Sequence, residues 1–148
     1  MSKELILAKI EELGFSIEEA GDFGYVFKFE ELTILYMPDD DENFLRFAVP
    51  NIYDVTDENK RFVLEVVNDT NMSIKYSKTC VYGDSVWVFY EYRLFGEDNL
   101  EDIIEHSMLL LQASYFLFHR KLEGDDTLPG EDEDDDDYQI GIHSVVFV

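Results

Sequence analysis

Apolar positions along this chain change period several times, and each change marks an element. Ile6, Ile10 and Leu13 fall at i, i+4 and i+7 with Leu5 beside them, while Glu4, Lys9, Glu11 and Glu12 face away. That stripe predicts a helix over residues 3–13, capped by Ser2 and ended by Gly14. A β region follows. Phe15 and Ile17 alternate with polar neighbours, Gly21-Asp22 and Gly24 punctuate, and Tyr25, Phe27 and Phe29 alternate with Val26, Lys28 and Glu30. Period two is the mark of a strand. Leu32 to Met37 predicts a second strand across a Glu30-Glu31 turn, and Phe44 to Val49 a third beyond Pro38 and the acidic run Asp39 to Glu42. Pro50-Asn51 is expected to stop that strand, because proline has no N–H to give a ladder.

Helical spacing returns after Thr56, a good cap followed by Asp57 and Glu58, which suit the positive end of a helix dipole. Phe62, Val63, Val66 and Val67 make the apolar face. Asn68-Asp69-Thr70-Asn71 is expected to end this helix, since such side chains compete for backbone hydrogen bonds. Met72, Ile74 and Tyr76 then predict a strand reaching Tyr82. Gly83-Asp84 marks a hairpin, and Val86 to Leu94 alternates again. Its second face carries Trp87 and Phe89, which need cover from a helix or a second subunit. Asn99 caps a last helix to about Leu122. Ile104, Met108, Leu111, Tyr115, Phe118 and Leu122 form one stripe, Ile103, Leu110 and Leu117 a second, and Leu109 and Phe116 lie on the far side. A helix apolar most of the way round is buried on more than one side. The order, α, three or four strands, α, two strands and α (with three, α-β-β-β-α-β-β-α), lacks strand–helix–strand alternation, so an α+β fold is expected, with a mainly antiparallel sheet and helices on one face.

A length of 148 residues suits one domain. We expect it over residues 1–122, followed by an acidic linker over 123–137 and a β-prone apolar tail over 138–148. The linker holds 10 acids and no base, and like charges there favour disorder. The tail, from Tyr138-Gln139-Ile140 to Val148, is too apolar for water and is expected to dock as an added edge strand on its own sheet or a neighbour's. Elsewhere 24 acids still outnumber the 11 bases, so the folded part is acidic in its own right. The net charge of −23 argues against nucleic acid and anionic membranes as partners, and suits a basic protein client. Met1-Ser2-Lys3-Glu4-Leu5 has no basic start or apolar run, Met108-Leu109-Leu110-Leu111 is too short to span a bilayer, and Cys80 is the single cysteine. A cytoplasmic location is the expectation.

Candidate chemistry changes this picture little. His106 and His119 sit 13 residues apart on one helix and His143 is in the tail, so no metal-ligand spacing arises. Cys80 lies in a strand with no base beside it in sequence, which suits an inert thiol. No Gly-x-Ser-x-Gly turn, dinucleotide fingerprint or phosphate loop occurs. The acidic runs lack the spaced ligands and loop glycine of a tight calcium site. Catalytic residues, cofactors and metals are therefore expected to be none. Twelve Phe, nine Tyr and one Trp are the surplus, more than a core alone needs, and they suit an apolar docking groove.

Residues 3–122 resemble the YbjN family of candidate bacterial sensory transduction regulators. The likeness rests on Asn68-x-x-Asn71 closing the middle helix, the Ile74-Lys75-Tyr76-Ser77-Lys78 strand, the Gly83-Asp84 turn, the aromatic strand Val86 to Leu94 and the capped last helix. Gly14-Phe15 and the Tyr25–Phe29 and Leu32–Met37 pair fit upstream. The resemblance implies a type III secretion chaperone-like fold, a homodimer, and a role in holding or regulating other proteins, with no catalytic residues to carry over. The acidic linker and tail depart from that pattern.

The leading expectation is thus a non-catalytic, chaperone-like or regulatory protein-binding module. Its partner or dimer interface is expected at Trp87, Phe89, Met108, Leu109, Leu111, Tyr115, Phe116 and Phe118. One alternative is a small-molecule sensor or enzyme with a pocket between sheet and helices. Another is an acidic decoy that inhibits a basic protein. The tail could also fill the client site in cis.

Overall fold

Ser2 opens the first helix, α1 (Lys3–Glu12), by accepting a hydrogen bond from the Leu5 N–H, and Gly14 follows its end with φ +102°. Ile6 and Ile10 are its buried stripe. In this computed structural model, which describes residues 2–125, 127–129 and 146–148, six strands follow: β1 (Glu18–Glu19), β2 (Tyr25–Phe29), β3 (Leu32–Tyr36), β4 (Phe44–Asp54), β5 (Ser77–Tyr82) and β6 (Ser85–Arg93). Two further helices, α2 (Lys60–Ser73) and α3 (Leu100–Leu122), complete the order. All five strand pairs are antiparallel, in the spatial order β1-β2-β3-β4-β6-β5. The architecture is α+β in the expected element order, with four strands before α2 of which the first is a two-residue edge strand.

Alternation splits the sheet's side chains into two sets. Phe27, Ile34, Phe47, Val49, Val88 and Tyr90 pack against Ile6 and Ile10 of α1 and the long stripe of α3. Val86 joins Val63, Val66 and Val67 of α2 and Phe118 of α3. Helices therefore cover one face. The opposite set, Leu35, Ala48, Trp87 and Phe89, forms a separate small cluster that holds no helical residue among the described residues, and we call this the helix-free face.

Three boundaries differ from the sequence reading. Strand β4 runs through Pro50 to Asp54, because the missing proline N–H falls within an irregularity where register shifts between Val49 and Tyr53. Asn51 takes the strain there at φ +53°. Helix α2 continues through Asn68–Asn71 to Ser73. Thr70 Oγ1 donates to the Val66 carbonyl at 2.8 Å and Ser73 Oγ to Asp69 at 2.9 Å, so the side chains bond back along the helix instead of ending it. Met72 is accordingly helical, and β5 starts only at Ser77. Thr56 opens the turn that leads into α2 rather than capping the helix: its Oγ1 accepts from the Asn59 N–H while Asn59 Oδ1 accepts from the Thr56 N–H, and Asn59 itself is the N-cap.

The outer edge of β5 is closed by side chain rather than strand. The Asn71 amide donates to the Thr79 carbonyl and accepts from the Thr79 N–H, both at 2.8 Å, which satisfies backbone groups an edge strand leaves open. Beside it, Val146 and Phe147 are buried in the main core. Lys75 N–H donates to the Val146 carbonyl at 2.8 Å and Val148 N–H to Ser73 at 3.0 Å. Residues 146–148 thus bridge the connection before β5, outside the sheet. The acidic run and the rest of the 138–148 tail, His143 included, lie outside the described residues. Among those described, no helix is long and apolar enough to cross a membrane.

Candidate functional site

The helix-free face is assembled by one turn and one polar relay. After β1 the chain makes a 3₁₀ turn, Gly21–Phe23, closed by Gly24 at φ +112°. A Cβ on Gly24 would strike the Tyr36 carbonyl oxygen, so only glycine lets the turn lie this close to β3. The turn sets Phe23 against Trp87, with ring centroids 5.8 Å apart. Trp87 Nε1–H donates to Ser85 Oγ at 3.0 Å, and that hydroxyl donates to Asn51 Oδ1 at 2.7 Å. The Pro50-Asn51 irregularity therefore orients the indole.

Trp87 stacks on Phe89 at 5.8 Å and 20°, and Tyr82 lies over Trp87 at 5.0 Å. Trp87 is 5% exposed and Phe89 8%, whereas Phe23 is 47% and Tyr82 54%. Cover for the two inner rings comes from the chain itself. Cations supply the rest of it. Arg46 sits 4.7 Å from the Phe44 centroid and 6.0 Å from Phe89, Lys78 lies 5.8 Å from Phe89, and Arg93 lies 5.2 Å from Phe95.

Glu91 fixes two of these cations. Arg46 Nε and Nη2 donate to its Oε2 at 3.0 and 2.9 Å, and Lys78 Nζ pairs with its Oε1 at 2.6 Å. Burial alone would push the Glu91 carboxyl up, but the Lys78 and Arg46 hydrogen bonds outweigh it and hold the group below its ordinary value. Cys80, opposite Trp87 on β5, has its thiol pushed up by burial, against a smaller opposing effect of Lys78. A protonated thiol is a poor nucleophile.

The other expected interface residues lie across the sheet. Met108, Leu111 and Phe118 are buried within the chain's own helix-side cores. Leu109 and Tyr115 are half-buried, and Phe116 is 42% exposed. Trp87 and Phe89 are thus on one face and the α3 residues on the other, so the set makes two surfaces. Sequence reasoning missed Phe23, Tyr82, Arg46, Lys78, Glu91 and Arg93. Their signal was parity: Glu91 and Arg93 share the odd positions of Trp87 and Phe89, but Arg46 and Lys78 join them only through register.

The helix side offers less chemistry. Tyr90 Oη and His106 Nδ1 are 2.9 Å apart, with burial raising the phenol and lowering the imidazole, so both are neutral at neutral pH. Leu13, Phe15, Phe29, Met108 and Leu109 line a hollow of roughly 330 Å³ with Glu105 as its one ionisable group. No group of three or more His, Cys, Asp or Glu side chains is placed to hold a metal among the described residues.

No protein-family model matches the chain, and no curated protein matches it either. Among solved structures, it is similar to that of YbjN from E. coli, described as a candidate transcription regulator. The match covers 84% of this chain and 94% of that one, with a TM-score of 0.59 and 12% identity. At that identity the likeness is one of architecture, and the chain has a YbjN-like fold.

Proposed function

We propose that this protein is a non-catalytic, cytoplasmic regulatory module that works by binding another protein through the helix-free face of its sheet. One observation carries the reading. A row of aromatic rings, with Phe23 and Tyr82 about half exposed, lies on a sheet face without helices and is framed by ordered cations. Rigid rings and pre-placed charged groups bind at low entropic cost. The fold shared with a candidate regulator supports the regulatory part, and the Cys80 thiol, pushed up by burial, supports the non-catalytic part.

A photo-crosslinking residue placed at Phe23 or Tyr82 in cells tests the reading. The expected outcome is a discrete protein adduct from both positions and none from Glu65 on the outer side of α2. Adducts from Glu65 alone would overturn it.

A homodimer fits the second surface, where Phe116 and Leu109 leave apolar area on α3 next to the hollow. Sedimentation of Phe116→Glu is expected to show a dissociation constant raised at least tenfold over wild type. A wild-type protein that is monomeric at tens of micromolar, about the range of ordinary dimers, removes this part.

A further inference from the structure

The whole-chain charge of −23 conceals a local inversion. Printed onto the sheet by register, Arg46 stands opposite Glu91, Arg93 opposite Phe44, and Lys78 opposite Phe89, all on the helix-free face. Arg46 and Arg93 are diagonal neighbours on adjacent strands, about 7–8 Å apart, and Lys78 is one strand beyond. Three cations therefore surround one carboxylate. Lys28 adds a fourth cation farther along the same face, opposite Thr33 on β3. The other acids on this face stand farther off: Asp54 lies opposite Ser85, about 13 Å along β6 from Phe89, and Glu18 ends the row Glu18–Val26–Leu35–Ala48–Phe89–Lys78, a full sheet width from Lys78 and about 24 Å away at ordinary strand spacing. The acidic β3–β4 loop lies at the end of the sheet, where Asp39 to Glu42 line a cleft with Lys3, Glu4 and Ile6 of α1 and with Phe44.

Glu91 does not silence the cluster. It engages two of Arg46's five N–H donors and one of Lys78's three, which leaves the others directed but unspent. Arg93 is exposed and rests on Phe95, which is itself exposed. Screening over about 8 Å at physiological salt lets such a patch act locally despite the acidic surroundings. A polynucleotide is disfavoured, because its continuous phosphates would extend beyond the cluster over acidic surface. A peptide can put carboxylates only where the cations are and apolar side chains elsewhere.

We propose that the helix-free face receives an acidic segment of a protein partner, its carboxylates paired with Arg46, Lys78 and Arg93 and its apolar side chains laid against Tyr82 and Phe95. This rests on the protein-binding reading above and reverses the basic client that net charge suggests.

The test uses the full chain and a fluorescein-labelled peptide of alternating glutamate pairs and phenylalanines, followed by anisotropy at about 0.15 M salt. The same peptide with lysine for glutamate, and an oligothymidylate, are run beside it. One variant, Lys78→Glu/Arg93→Glu, reverses the patch. A second, Lys60→Glu/Arg61→Glu on α2, makes the same change in net charge elsewhere. The glutamate peptide is expected to bind wild type and the α2 variant alike and to lose at least tenfold in affinity for the face variant, with the far-ultraviolet dichroism of all three the same. If the face variant unfolds, Lys78→Gln/Arg93→Gln replaces it with the same expectation. No binding to wild type, equal binding to the face variant, or preference for the lysine peptide or oligothymidylate overturns the inference. Crosslinks from Phe23 and Tyr82 that persist alongside such a result leave the protein-binding reading standing; their loss as well removes both.

Discussion

The two faces of this sheet are built from the same strands yet solved differently. On β6, Val88 and Tyr90 point into a core closed by α1 and α3, while Trp87 and Phe89, one residue away, point to a face with no helix. The first set is buried in the main core, with Tyr90 Oη beside His106 as its polar contact. The second is closed by a glycine-held turn, a tyrosine and the stems of two cations. Long cationic stems can cover apolar area while their heads stay in water. The difference teaches that low exposure of a ring need not mean a sealed core: it can also mean a lid of side chains that a partner could displace or extend.

The largest effect should come from truncation on the helix side. Phe47→Ala is expected to cost about 3–5 kcal/mol in chemical denaturation, and Phe89→Ala about 2 kcal/mol, because the thin cover over Phe89 can collapse or admit water. Equal losses would erase the distinction between the faces.

Gly24→Ala attacks only the helix-free side. It adds a Cβ at φ +112° against the Tyr36 carbonyl, and a loss of about 1–3 kcal/mol is expected. Trp87 is the only tryptophan, so its emission should move to the red as Phe23 lifts away, with the far-ultraviolet dichroism kept. An unshifted emission would mean that the turn is no lid.

The smallest effect separates the faces by charge. Glu91 is held below its ordinary value in the folded state, so its contribution is fully present above its unfolded value, about 4.3, and is lost as pH falls through the folded one. Glu91→Gln is expected to cost about 1 kcal/mol at pH 7, and the gap to wild type should close progressively below about pH 4. A gap that widens in acid would contradict the ion-pair geometry.

Much of the fold is readable from periodicity. Ile6 and Ile10, the alternating Tyr25–Phe29 strand, the Val63–Val67 face and the stripes of α3 all fall where their spacing predicts, since each reflects a local choice between periods of 3.6 and two. Pro50 and the Asn68–Asn71 run misled for one shared reason. Proline and asparagine break elements only when nothing else satisfies the backbone. Here a register shift absorbs Pro50, while Asn71 spends its amide on Thr79 of another strand. The candidate site was half visible. Trp87 and Phe89 stood out as apolar residues on the wrong parity, but the sequence offered no hint that Phe23, 64 residues earlier, would cover one of them.

Sequence alone determined the elements, their order and the excess of aromatic rings, because these follow from neighbours a few residues apart. It also set the total charge, but a sum has no location. Only the tertiary structure decided that Arg46, Lys78 and Arg93 share a face with one nearby acid, because strand register brings together residues that lie 15 to 47 positions apart. Electrostatic recognition acts over ångströms of space, and it is the folded sheet that converts distance along the chain into that space.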